Sequence, residues 1–138
     1  MVNHLFIVLN RAYFFKKLLA LPFGYSLFSI IQKIKPGEVY TINRFCIAGY
    51  AYYEGDTILN ELRENMVLSM VPEPKNIHDQ HAIEVYYGDT KLGYIPQSEN
   101  LIIGKLLDQE APVSCAIAKI RHTGSDWEKV KVEIRLNL

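Results

Sequence analysis

The sequence has few of the features that define common enzymes and secreted proteins. Its 138 residues include only two cysteines, Cys46 and Cys115, which are too few for a disulfide framework. Both lie in apolar segments typical of strands, so buried free thiols are the simplest interpretation. His78 and His81 have no third ligand at a suitable spacing, and no Cys-x-x-Cys or His-Glu-x-x-His pair is present. The sequence therefore predicts no metal site and no other cofactor.

Motifs of nucleophilic and phosphate chemistry are also missing. There is no Gly-x-Ser-x-Gly nucleophile elbow and no glycine-rich phosphate loop. Asp79 and Glu84 are paired carboxylates, but no lysine follows them at the spacing that a nuclease uses. We therefore predict that the protein is not an enzyme, and an unrecognised hydrolase is the weakest of three functional classes.

The chain also has no formal net charge, but its charged residues are unevenly distributed. Fifteen basic residues balance fifteen acidic ones, so the total indicates no partner. Residues 1–37 carry five bases and no acid, a net charge of +5, whereas residues 38–138 carry −5. Hydrophobic residues make up 49% of the chain, which excludes wholesale disorder. The sequence predicts a basic, apolar extension over residues 1–37 and one domain over residues 38–138.

The extension contains no hydrophobic run long enough to span a membrane. Leu18–Ile31 is an apolar run of 14 residues, whereas a spanning helix needs about 20. The basic stretch before it is typical of a signal peptide or anchor, but no Ala-x-Ala cleavage site follows. The alternative is a helix that packs on the domain or lies on a membrane surface. A cytoplasmic location is favoured, with membrane tethering or export through residues 5–31 as the alternative.

Residues 38–138 change to a two-residue periodicity that predicts strands. The last strand is the clearest, because apolar residues alternate with charged ones from Lys129 to Leu136. Thr57 and Ser98 are expected to cap two short helices. About six short strands joined mostly by hairpins indicate a mostly β domain, either a small barrel or a curled sheet. The predicted strands are Val39–Tyr50, Met66–Val71, Ala82–Tyr87, Lys91–Ile95, Val113–Arg121 and Trp127–Leu136.

Two segments of this domain could carry a binding site. Val71–Ile83 contains two prolines that keep it extended, and it gathers Asn76, His78 and Asp79 just before a strand. Ordinary turn chemistry explains the same residues, because Asn and Asp side chains bond to nearby backbone. In the other segment, Tyr50–Tyr53, three tyrosines occupy four positions. They cannot all face inward on a strand, so at least one is expected to be exposed or at an edge, where aromatic rings can stack on nucleobases.

Taken together, these segments resemble the HIRAN domain, which occurs in some Swi/Snf-type DNA translocases and as a free-standing bacterial protein. The matching strings are IAGYAYYEG at residues 47–55, VPEPKNIHDQHAIEV at residues 71–85 and KLGYIP at residues 91–96. The resemblance covers residues 44–136 and leaves the basic extension outside.

The resemblance implies an OB-like β-barrel that binds single-stranded DNA, with a preference for a free 3′-hydroxyl end. It implies no catalysis, since the motor and zinc RING of the fused relatives are missing. Asp79 is expected to accept a hydrogen bond from the terminal hydroxyl, and the aromatic residues to stack on bases or contact phosphates. The nucleic-acid-binding residues implied in this way are Tyr52, Tyr53, Asn76, His78, Asp79 and Tyr94.

Two departures from the family pattern weaken the expected affinity for DNA. Ala51 stands where DNA-binding members carry arginine, and Gln97 stands where a basic residue is common. Because phosphate contacts dominate affinity, we expect weak binding unless Lys75, Lys91 or Arg121 compensates. The alternative function is a protein-interaction or envelope-associated module that uses the same pocket without binding DNA. Membrane contact through the extension would fit that alternative.

Overall fold

The structure, a computed structural model, describes residues 37–138. They form six strands and one α-helix: β1 (Val39–Cys46), β2 (Val67–Pro72), β3 (Ile83–Tyr87), β4 (Thr90–Tyr94), α1 (Gln97–Asp108), β5 (Val113–Ile120) and β6 (Val130–Asn137). The expectations for a signal, anchor or packed helix concern residues that lie outside this range. No helix within residues 37–138 has the length and apolar character needed to cross a membrane.

The six strands form one antiparallel sheet in the order β1-β6-β5-β2-β3-β4. The sheet curls, and a single bridge between Ala48 and Tyr94 joins the segment after β1 to β4 at the opposite edge. The result is a curled, OB-like sheet and not a closed barrel. The predicted fold class, mostly β with about six strands, is confirmed.

Alternation along β6 explains how the sheet builds its core. Val130, Val132 and Ile134 are buried, whereas Lys131 between them is exposed, as a half-buried strand requires. The core that these residues join also includes Ile47, Tyr50, Leu62, Leu68, Ile83, Val85, Leu92, Ile103, Cys115 and Ile117. Burial raises the pKa of the Cys115 thiol to about 12, so this cysteine is the buried free thiol that was expected, whereas Cys46 is only half-buried.

Gly93 allows the two edges of the sheet to meet. Its φ is +146°, and a Cβ at this position would lie 2.4 Å from the backbone oxygen of Ala48, so only glycine fits. The close approach permits two backbone hydrogen bonds between Ala48 and Tyr94, of 2.8 and 2.9 Å. These bonds hold Tyr94 next to the segment that follows β1.

The predicted first strand is too long, and the tyrosines at its end are not on a strand. β1 ends at Cys46, and Gly49, at φ +71°, precedes a 3₁₀ helix over Tyr50–Tyr52. The left-handed conformation of this glycine ends the extended stretch of the chain. The alternation of apolar residues did not indicate this break. Similarly, β6 begins at Val130 and not at Trp127, because Asp126–Glu128 form a 3₁₀ helix.

The two predicted helix caps are also corrected. Thr57 lies inside a 3₁₀ helix, Glu54–Ile58, and its hydroxyl donates a 2.6 Å hydrogen bond back to the carbonyl of Glu54. The second helix is present as α1, but its N-cap is Pro96. Ser98 is already in the first turn, where its hydroxyl donates to Glu99 at 3.1 Å.

Candidate functional site

A cleft of about 350 Å³ lies where the segment after β1, the β2–β3 loop, the end of β4 and the start of α1 meet. Five of the six predicted binding residues line it, and Tyr52 does not. The lining residues are Ala48, Tyr53, Asn76, His78, Asp79, Ala82, Tyr94, Ile95 and Gln97. The cleft thus combines aromatic rings, a carboxylate and amide groups on a mostly apolar floor.

The side chain of Asn76 holds the β2–β3 loop in shape. Its Oδ1 accepts hydrogen bonds from the backbone N–H groups of His78 (2.9 Å) and Asp79 (3.1 Å). Its Nδ2 donates to Glu73 Oε2 at 2.7 Å. This is the local side-chain-to-backbone bonding that favours Asn in turns, and it leaves the imidazole of His78 exposed at the cleft.

Asp79 is anchored from two directions. Its Oδ1 accepts a 2.9 Å hydrogen bond from the backbone N–H of His81, and its Oδ2 accepts a 2.6 Å bond from the side-chain amide of Asn100. Asn100 is 2% exposed and lies on the buried side of α1. Each carboxylate oxygen has a further lone pair, so Asp79 can accept another hydrogen bond from within the cleft.

Asn100 is a partner of the site that the sequence patterns did not indicate. It lies 21 residues after Asp79, at a helix position that packs toward the cleft. The available signal was a polar residue next to the apolar positions of α1, but no local pattern indicates which group it bonds.

Tyr53 and Tyr94 form an aromatic pair at the other side of the cleft. Their ring centroids are 5.9 Å apart in an edge-to-face arrangement. The Lys91 ammonium lies 4.6 Å from the Tyr53 centroid and 4.1 Å from the Tyr94 centroid. It also donates to Tyr94 Oη at 2.8 Å and to Glu84 Oε1 at 2.5 Å.

Burial lowers the pKa of Lys91, but its hydrogen bonds to Glu84 and Tyr94 outweigh that effect and the pKa is raised. Hydrogen bonds from Asn76 and from Tyr94, whose hydroxyl donates at 3.0 Å, lower the pKa of Glu73. Both groups are therefore ionised at neutral pH. Lys91, which lies beside the two rings, is thus already paired with a carboxylate.

The other two basic residues that were expected to contact phosphates, Lys75 and Arg121, lie apart from the Tyr53–Tyr94 ring pair. Lys75 is exposed on the β2–β3 loop, and Arg121 pairs with Glu128 at 2.7 Å beyond β5. Neither lines the cleft. Among residues 37–138, no lysine or arginine therefore lines the cleft.

The three neighbouring tyrosines have three different environments. Tyr50 is buried in the core, Tyr53 lines the cleft, and Tyr52 is 75% exposed with its ring 5.4 Å from that of Trp127. The expectation that at least one of them is exposed or at an edge is confirmed. Tyr52 and Tyr53 diverge because the 3₁₀ helix ends at Tyr52 and Tyr53 is extended.

Known proteins share both the sequence pattern and the fold. A family model described as the HIRAN domain matches residues 26–138, whereas no curated protein matches the chain. A crystal structure of a protein from Lactobacillus plantarum is 21% identical, with a TM-score of 0.61, and the match covers 72% of this chain and 95% of that one. The HIRAN domain of human HLTF is 16% identical, with a TM-score of 0.51, and the match covers 73% of this chain and 82% of that one.

Proposed function

Because the chain belongs to the HIRAN domain family, we propose that it binds the 3′-hydroxyl end of single-stranded DNA in the cleft. HIRAN domains are nucleic-acid-binding modules and are not themselves catalytic.

One observation carries the proposal: an anchored carboxylate and two aromatic rings line the same small cleft. Asp79 is held by His81 and Asn100 and still has acceptor capacity, so it can receive the hydrogen bond of a terminal hydroxyl. Its negative charge would repel a terminal phosphate, and the repulsion is stronger where the dielectric is lowered. Tyr53 and Tyr94 offer faces or edges to the terminal base.

The charges of the site make the predicted affinity low. Lys91 is paired with Glu84, and Ala51 and Gln97 supply no cation, so few counterions would be released from the bound phosphates. The same observation favours the second candidate, a protein-interaction module that uses the cleft for a peptide.

Fluorescence anisotropy with single-stranded oligonucleotides labelled at the 5′ end tests the proposal. The full-length protein is titrated against oligonucleotides that end in a 3′-hydroxyl or a 3′-phosphate, at low and at moderate salt. We expect tighter binding of the hydroxyl end at both salt concentrations. Equal affinities for the two ends would contradict end recognition, and no binding of either would favour the protein-interaction module.

A further inference from the structure

We propose that the DNA strand leaving the cleft continues over a second surface, the basic face, which binds its phosphodiester backbone. The basic face consists of outward side chains of β1, β5 and β6 and the residue after β5: Arg44, Lys119, Arg121, Lys131 and Arg135. The assignment of the strand rests on the proposed function of the cleft, whereas the anion-binding character of the face rests on its own geometry.

Two neighbouring depressions form the basic face, and both are lined by Lys119 and Lys131. The larger, of about 410 Å³, is also lined by Arg44 and Arg135. The smaller, of about 190 Å³, is also lined by Arg121. Because the two lysines belong to both, the depressions form one continuous track across the outer side of the sheet.

Lys119 and Lys131 face each other directly in the β5–β6 register. Like charges that are directly opposite on antiparallel strands destabilise a sheet. Both side chains are exposed, and within the described residues neither forms a salt bridge. A polyanion that lies between them would relieve this repulsion.

The carboxylates that contact the basic face do not neutralise it. Glu133 is buried and accepts hydrogen bonds from Arg135 (2.6 Å) and Arg44 (2.8 Å), which lower its pKa. Glu128 pairs with Arg121. Five cations against these two carboxylates leave an excess of three positive charges, although residues 38–138 as a whole carry −5.

The basic face and the cleft are neighbours on the surface. Cys46 lines the smaller basic depression, and Ala48, two residues later, lines the cleft. The exposed ring pair of Tyr52 and Trp127 is next to both sites along the chain, because Tyr52 directly precedes Tyr53 of the cleft and Trp127 directly precedes Glu128 of the smaller basic depression.

Exposed aromatic rings beside a track of cations are the combination that binds single strands, since bases stack on the rings and phosphates contact the cations. An acidic protein segment would use the cations but would gain no stacking from the rings. The ring pair therefore favours nucleic acid as the occupant. In this arrangement Tyr52 contacts the nucleic acid outside the cleft.

The chain contains one tryptophan, Trp127, so its fluorescence reports on the exposed ring pair that it forms with Tyr52. The full-length protein is titrated with a trinucleotide and a dodecanucleotide, both with 3′-hydroxyl ends, and both anisotropy and tryptophan emission are recorded. The variant is Lys119→Glu, which places a carboxylate opposite Lys131 and so removes the like-charge pair without endangering the fold. The matched control is Lys105→Glu, an exposed position on α1.

We expect the dodecanucleotide to quench Trp127 and Lys119→Glu to weaken its binding about tenfold, with less than twofold change for the trinucleotide. Lys105→Glu should change neither affinity by more than twofold.

If the trinucleotide does not bind but the dodecanucleotide does and depends on Lys119, the cleft proposal fails and the basic face stands. The basic face is overturned if Lys119→Glu behaves like Lys105→Glu, if it weakens both lengths equally, or if neither length binds. It is also overturned if Trp127 emission does not respond, or if polyglutamate of equal charge displaces the dodecanucleotide as well as unlabelled dodecanucleotide does.

Discussion

The buried side-chain amide of Asn100 donates a 2.6 Å hydrogen bond to Asp79 Oδ2. The bond links α1 to the β2–β3 loop and fixes the direction of the carboxylate at the cleft. Because a buried amide without its acceptor would be costly, Asp79 has a structural role as well as its proposed role in binding. Any test at this position must therefore separate end preference from stability.

We predict that Asp79→Asn narrows the preference for a 3′-hydroxyl over a 3′-phosphate end by about 1–3 kcal/mol, the scale of a hydrogen bond to a charged group. The amide keeps the shape of the side chain but removes the charge that repels phosphate. Stability should also fall by about 1 kcal/mol, because an amide and a charged acceptor are not equivalent partners for Asn100. Anisotropy with both ends and thermal unfolding of the same variant measure the two effects.

The ratio of the two affinities separates these effects, since a loss of folded protein lowers both affinities alike. Asp108→Asn, an exposed carboxylate at the end of α1, is the matched control and should leave the ratio unchanged. An unchanged ratio in Asp79→Asn with lower stability would restrict Asp79 to its structural role.

Tyr53→Ala should weaken binding of a trinucleotide by about 1–3 kcal/mol, the contribution of one stacked base. Tyr53→Phe keeps the ring and should lose far less. Anisotropy titrations of the two variants distinguish stacking from hydrogen bonding by the hydroxyl. Equal losses in both variants would show that the hydroxyl, and not the ring, makes the contact.

Ala51→Arg should raise the affinity for single-stranded DNA, because Ala51 is exposed two residues before Tyr53 of the cleft and an added guanidinium can contact a phosphate. One more phosphate contact should steepen the dependence of log affinity on log salt by about 0.7. Gln109→Arg, at the C-terminal end of α1, adds the same charge away from the cleft. Equal gains from both substitutions would mean that total charge, and not the position of the cation, sets the affinity.

Gly93→Ala should destabilise the domain by about 2–4 kcal/mol, because its Cβ would overlap the Ala48 oxygen and the backbone φ is positive. Gly88→Ala is the matched control, since φ is +56° there but no atom lies within 4 Å of the added Cβ. It should cost only about 1–2 kcal/mol, the price of the left-handed conformation. Urea unfolding midpoints compare the two, and equal losses would exclude the close contact as the cause.

Glu133 should contribute to the pH dependence of stability. Hydrogen bonds from Arg135 and Arg44 lower its pKa in the folded protein, so its stabilisation is present above the unfolded pKa and is lost as pH falls through the folded one. The free energy of unfolding should therefore decrease below about pH 5, and Glu133→Gln should make this decrease shallower. The measurement is urea unfolding of the wild-type protein and of Glu133→Gln at a series of pH values. If the free energy of unfolding decreases as steeply in the variant as in the wild type, Glu133 does not contribute to the pH dependence.

Sequence patterns predicted those parts of the fold that depend on short-range alternation. The alternation of apolar and charged residues predicted β6, and the prolines and Asn76 predicted the β2–β3 loop. The divergence of Tyr52 and Tyr53 was not predictable in this way, because it depends on the left-handed backbone of Gly49 and the 3₁₀ helix after it.

The parts of the site that the sequence did not predict depend on contacts between segments that are far apart in the chain. Asn100 meets Asp79 only because α1 packs beside the β2–β3 loop. Similarly, the opposition of Lys119 and Lys131 is a property of the β5–β6 register, and no single strand shows it. Charge totals also failed to reveal the basic face, since all but two of the fifteen acidic residues lie outside its two depressions.

Residue-resolved NMR of the full-length protein with a trinucleotide tests recognition of the 3′ end in the cleft most directly. With a 3′-hydroxyl trinucleotide, we predict shifts of the side-chain amides of Asn76 and Asn100 and of the backbone amides of Tyr53 and Asp79. The same trinucleotide with a 3′-phosphate should cause much smaller shifts at equal concentration. Equal shifts for both ends, or shifts confined to residues outside the cleft, would contradict the account.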